Sequence, residues 1–121
     1  TLAVAVPDEY QDALPGDERG VAVCTYCLAM HPMSDPPAET PDFQQISDAF
    51  PSDSEAALPM VLVVGLLSNL ALYRSEISEL LGAIERAGTD PLLVLDRLAH
   101  DPDLDPETDL AGRRRQLEQL L

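Results

Sequence analysis

A chain of 121 residues that is 45% apolar yet only 4% aromatic, with no tryptophan, supports one domain, or a small module on a modest one, with a core of Leu, Val and Ala. Its 22 acidic residues outnumber 7 basic ones, all arginine, and a net charge of -15 weighs against broad contact with a nucleic-acid backbone. The two cysteines share one C-x-x-C turn, which rules out a disulfide scaffold.

In chain order, residues 1–33 read as short strands around a knuckle. Leu2–Val6 is an apolar run ended by Pro7, and Pro7–Arg19 has the Asp, Glu, Pro15 and Gly16 content of a loop. Gly20–Val23 leads directly into Cys24, and Leu28–Met30 leads out of Cys27. Residues 34–51, with Pro36, Pro37, Pro41 and Pro51, read as an extended connector on which Phe43 and Ile46 pin one helical turn to the body.

Residues 52–121 read as a helical body. Ser52 and Glu55 have the spacing of a capping box, and Pro59 predicts a restart or a kink. Val63, Leu66, Leu70, Tyr73, Ile77, Leu80, Ile84 and Ala87 follow steps of three and four, ending at Gly88. That stripe predicts one long central helix of about 28 residues, roughly 42 Å long. Asp90-Pro91 supplies an N-cap and first-turn proline for a short helix through His100, with Leu92, Leu95 and Leu98 inside. Asp105-Pro106 opens a last helix bearing Leu110, Leu117 and Leu121 on one side.

The expected fold is therefore α+β, mostly α: a small zinc-ribbon-like β module, a connector and a helical body. The uncharged run Ala56–Tyr73 approaches the length of a membrane span, but Pro59, Gly65, Ser68 and Asn69 interrupt it, so it reads as core. With no signal-peptide pattern at the start, the expected location is the cytoplasm. The first half of the stripe is apolar nearly all round and must be covered on every side. A homodimer through the long helix is the expected cover. Lysine-free acidity suits molar salt, where the Debye length is about 3 Å, and points to a halophile.

Cys24 and Cys27 are half of a tetrahedral zinc set. Four completions are open: a second C-x-x-C before residue 1 as in a zinc ribbon, His31 as third ligand, four cysteines pooled by two subunits, or a redox dithiol. The flanking strands weaken the last, since redox pairs sit at helix N-termini. Zinc in this chain is thus an incomplete site, and two unliganded thiols remain the plain alternative. Arg113, Arg114 and Arg115 could grip a phosphate or RNA backbone. They spread round a helix, however, and suit one whose first turn carries Glu107 and Asp109. No nucleophilic triad or phosphate-cradling glycine loop is visible.

The segments CTYC (24–27), SDAFPSDSEAALPM (47–60), LALYRSEI (70–77), AGTDPLLVLDRLAHDP (87–102) and RRRQLEQLL (113–121) resemble a family of small, acidic haloarchaeal proteins, over essentially the whole chain. The resemblance implies a further C-x-x-C at the start of family members and hence a four-cysteine zinc ribbon. It implies no activity. The expected function is a non-enzymatic binding or adaptor protein with a protein partner of unknown identity. A nucleic-acid-associated ribbon factor is the first alternative and an enzyme with an unrecognised site the second.

Overall fold

The computed structural model describes residues 2–11, 19–33, 35, 37, 39–106 and 108–120. Residues 12–18 of the expected loop, Glu107 and Leu121 lie outside them. The fold is α+β and mostly helical, as the sequence pattern predicts.

Strands β1 (Leu2–Ala5), β2 (Gly20–Val23) and β3 (Met30–Met33) form an antiparallel sheet in the order β1-β2-β3. Val4 pairs with Val21, and Leu2 with Val23. The valines at 4, 21 and 23 are buried, giving the sheet its apolar face. Pro32, which has no N–H to donate, lies in edge strand β3 opposite Val21, where a missing ladder donor is tolerated. A short helix α1 (Asp8–Gln11) follows β1.

The connector is anchored as expected. Asp42 caps a 3₁₀ turn, Phe43–Gln45, by accepting from the Gln44 N–H, and Phe43, Ile46 and Phe50 are buried. Beyond it the Ser47 hydroxyl donates to Asp101 Oδ2 at 2.6 Å. That bond, aided by the Asp103 N–H, holds the Asp101 carboxyl below its ordinary pKa and ties the connector to the segment after α4 (Pro91–Ala99).

The single long helix is not formed. The stripe is divided between α2 (Ser54–Leu66) and α3 (Arg74–Arg86), joined by a 3₁₀ turn, Leu67–Asn69, and packed against each other. Every residue of α2 from Ala56 to Val64 is buried, so it behaves as a core helix that must be covered all round. The chain folds back and supplies the cover: Ile77, Leu80, Leu81 and Ile84 of amphipathic α3 are buried, and β3 and the Phe43 turn also pack on α2. Ser68 and Asn69, whose side chains compete with helical hydrogen bonding, mark the break. Ser68 Oγ donates back to the Gly65 carbonyl, and Asn69 O accepts from Leu72 and Tyr73 N–H groups. The connection from Leu67 to Tyr73 is about one heptad long, so periodicity runs through it in phase and simulates a rod. Val63, Leu66, Leu70, Ile77, Leu80 and Ile84 are all buried, and Tyr73 packs partly buried on the core. This cover comes from the same chain, so α2 needs no second copy to bury it.

Pro59 neither restarts nor ends α2. It removes the donor to the carbonyl of Glu55 in the first exposed turn, where water can substitute. Aspartates start three of the helices of the body, while α3 begins after Tyr73 with no side-chain cap. Asp53, not Ser52, caps α2 by accepting from Glu55 N–H. Asp90 caps α4, with Pro91 in its first turn, as predicted. Asp109, not Asp105, accepts from Gly112 N–H at the head of α5 (Leu110–Leu120). The buried side of α4 is Pro91, Val94, Leu95 and Leu98, with Leu92 only partly covered. Gly88, at φ +88°, ends α3: Thr89 N–H bonds to Ile84 O and Gly88 N–H to Glu85 O, a Schellman motif that needs a left-handed residue. Asp90 accepts from both Leu92 and Leu93 N–H groups, so Asp90→Ala is expected to cost about 1 kcal/mol in a urea melt.

One hydrophobic core runs from Val4 and Val23 of the sheet through α2 and α3 to Leu95, Leu98 and Leu117. No described helix is long and apolar enough to cross a membrane.

Candidate metal centre

The Cys24–Cys27 turn joins β2 to β3, and the Leu2–Val23 pairing brings the start of β1 alongside it. The turn is closed by Cys24 N–H to Ala29 O (2.9 Å) and Leu28 N–H to Cys24 O (3.1 Å). Leu28 takes φ +62°, a left-handed conformation that L-residues avoid. Its buried side chain keeps it there. A glycine at this position would have announced the turn in the sequence, whereas leucine disguises it.

Neither cysteine is in a disulfide, and both are of intermediate exposure. The Cys27 N–H donates to Cys24 Sγ at 3.3 Å. That backbone bond, followed by the Cys27 side chain and the Tyr26 N–H, pulls the Cys24 thiol from 9.0 down to about 7. Donors aimed at sulfur stabilise a thiolate, the form that binds metal. Alkylation by iodoacetamide is accordingly expected to rise with pH about a midpoint near 7 at Cys24, read by peptide mass spectrometry.

The turn is fixed to the helical body at two points. Asp105 N–H donates to the Tyr26 carbonyl at 3.0 Å. Met30 packs so closely on α2 that a Cβ on Gly65 would lie 2.6 Å from its sulfur. Neither contact was visible in the sequence, where the partners are far apart.

The two thiols fit half of a tetrahedral zinc set. Among the described residues, no three His, Cys, Asp or Glu side chains form a metal-holding group. His31, in β3 opposite Ala22, is exposed. It borders with Cys27 and Met30 a cavity of about 70 Å³ without completing such a group. The hairpin setting also lacks the helix N-terminus that a redox pair uses.

Two of the three arginines of α5, Arg113 and Arg114, turn back onto the chain. Arg114 Nε donates to Leu92 O at 3.0 Å and its Nη1 pairs with Glu118. Arg113 reaches Gln116 and the Ser68 carbonyl. Arg115 is exposed, with no hydrogen bond or ion pair among the described residues. Unforeseen in the sequence is an open cleft of about 470 Å³ where Tyr10 meets Glu9, Glu55 and Arg86. Burial, then the neighbouring Glu9, raise the Tyr10 pKa, partly offset by Arg86.

A family model for a family of unknown function, DUF6276, matches residues 1–121. The chain belongs to DUF6276. No curated protein and no solved structure matches it. For this DUF6276 member the clues to function are therefore its own residues, and the cysteine turn is the most ordered of them chemically.

Proposed function

We propose that this DUF6276 member is a non-enzymatic binding or adaptor protein of a halophile's cytoplasm, with the Cys24–Cys27 turn as a metal-binding, partner-contacting knob. The observation that carries the reading is the backbone N–H aimed at Cys24 Sγ within a β-hairpin, which lowers the thiol toward neutrality. Zinc bound there would act as a structural cross-link. Against an enzyme, the groups with shifted pKa values among the described residues do not converge. Cys24 is on the hairpin, Tyr10 lines a separate cleft, and Asp101 is held by Ser47. A nucleic-acid role would need the α5 arginines, and Arg113 and Arg114 already serve carbonyls of their own chain.

Cadmium titration of the reduced protein in molar KCl tests the metal reading. Thiolate-to-metal ultraviolet absorption should appear with the native sequence and vanish with Cys24→Ser. No absorption with the native sequence would refute it. For the halophilic reading, the melting temperature should climb as KCl rises from millimolar to molar, because screening relieves the repulsion of a -15 body. A flat response would count against it.

A further inference from the structure

We infer that the cleft lined by α1, the first turn of α2 and the end of α3 binds a free α-amino acid with a cationic side chain: Arg86 takes its carboxylate, and Glu9 and Glu55 take its positive groups. The inference is independent of the cysteine turn. Segments far apart in sequence converge on this cleft: Glu9 and Tyr10 on α1, Thr40 of the connector, Glu55 at the head of α2 and Arg86 at the tail of α3.

These groups are unspent. Glu9, Glu55 and Arg86 are exposed, and none of their side chains makes a hydrogen bond or an ion pair among the described residues. The Tyr10 hydroxyl is likewise without a hydrogen bond there. Opposite charges in direct contact would satisfy each other, whereas here they stand apart around an open space of about 470 Å³. That volume lies in the range of about 300–1,000 Å³ usual for small-molecule sites. The groups are still close enough to share one field. After burial, Glu9 raises the Tyr10 pKa, Arg86 lowers it and Glu55 raises it. Tyr10 therefore stays protonated and offers an O–H donor. Gly82 leaves the guanidinium room to lie back along α3, since a Cβ there would stand 3.3 Å from Arg86 Nη1.

The ionised groups define the ligand. A guanidinium pairs with a carboxylate through two parallel hydrogen bonds. Two carboxylates beside it call for two cationic groups. One arginine against two glutamates gives the lining a charge of -1, which a ligand of net charge +1 neutralises. A basic α-amino acid carries this set: one carboxylate, one ammonium and one side-chain cation. An anion lacking an amine would meet two carboxylates, and a diamine lacking a carboxylate would set like charge against Arg86. Leu58 and Ala83 line the same cleft and suit the alkyl stem between the charged ends.

Titration of the full chain with L-arginine in molar KCl, followed through amide chemical shifts, tests the inference. Exposed ion pairs contribute little each, so the shifts should saturate with a Kd on the order of 1 mM. They should cluster at Glu9, Tyr10, Glu55 and Arg86. Agmatine, which lacks the carboxylate, and L-citrulline, which lacks the side-chain charge, should each bind about tenfold more weakly. Arg86→Ala should erase the difference between arginine and agmatine, and Glu55→Gln should shrink that between arginine and citrulline. Both positions are exposed, so circular dichroism should stay unchanged. Cys24→Ser should leave the titration as it is, which separates failure here from failure of the metal reading. No saturation in the millimolar range, shifts that cluster elsewhere, or agmatine and citrulline binding as tightly as arginine would each overturn the inference.

Discussion

Leu62→Ala is expected to lower the free energy of unfolding by about 2–5 kcal/mol, a large share of the roughly 5–15 kcal/mol that holds a domain of this kind together. Leu62 is fully buried near the middle of α2, the helix that touches both α3 and the sheet. Removing its branched end takes away transfer free energy and leaves a void that close-packed neighbours fill only in part. The more informative readout is where stability is lost. The sequence divides the chain into a β module at 1–33, a connector at 34–51 and a body at 52–121, and on that plan β2 would not register a change in α2. The continuous core from Val21 and Val23 to Leu62 and Ile84 predicts the opposite. Amide exchange in β2 and in α3 should accelerate together by the same factor, as for one cooperative unit. Unchanged protection in β2 would restore the independent module.

The parts legible in the sequence were those whose cause is local. Asp90-Pro91 announces a helix start because both residues act within one turn, and Gly88 announces a stop because a left-handed position favours glycine. Phe43 and Ile46 stood out as apolar residues in a polar connector, and both are buried. Strands β1 and β2 are readable from their valines, whereas β3 starts only at Met30, where the expected Leu28–Met30 run ends. What failed was decided by distant contacts or by near-equal local options. Ser52 and Asp53 are both good caps, and the structure uses Asp53, whose carboxylate accepts from Glu55 N–H. Asp105 and Asp109 compete in the same way, but Asp105 uses its own N–H to hold the Tyr26 carbonyl, and the helix waits for Asp109. The break after Leu66 is hidden in the sequence because a heptad-long turn preserves the period of the stripe. At the candidate site, the cysteines and the strand that leads into them, β2, could be read directly. The thiolate-stabilising N–H, the left-handed Leu28 and the ties to Gly65 and Asp105 depend on geometry that spacing does not encode.

Gly65→Val is expected to cost about 1–3 kcal/mol and to disturb the cysteine turn although it lies on another element. A glycine inside a 13-residue helix ordinarily invites replacement, since alanine there gains about 1 kcal/mol of helix propensity. Here a Cβ would stand 2.6 Å from Met30 Sδ and 2.7 Å from Met30 Cβ. The sulfur could swing aside, but the Met30 Cβ is fixed to the backbone of β3, so relief requires the strand itself to move away from α2. Met30 is also paired with Val23, immediately before Cys24, so displacement of β3 is transmitted to the base of the turn. Valine adds two methyl groups and poor helix propensity to that clash, whereas Gly65→Ala should lose less because propensity offsets part of it. Met30→Gly removes the obstacle, Cβ included, and opens a gap, and Gly65→Ala in the same chain partly refills it. The double variant should therefore be more stable than the sum of the two single losses predicts, by a coupling of about 0.5–3 kcal/mol in a double-mutant cycle. Alkylation of Cys24 supplies the functional readout. If Gly65 positions the turn through Met30, Gly65→Val should move the pH midpoint back toward that of an ordinary thiol, and adding Met30→Gly, which deletes the Met30 Cβ, should restore it. A midpoint near 7 in all of these variants would mean that the turn holds its thiolate without the support of α2.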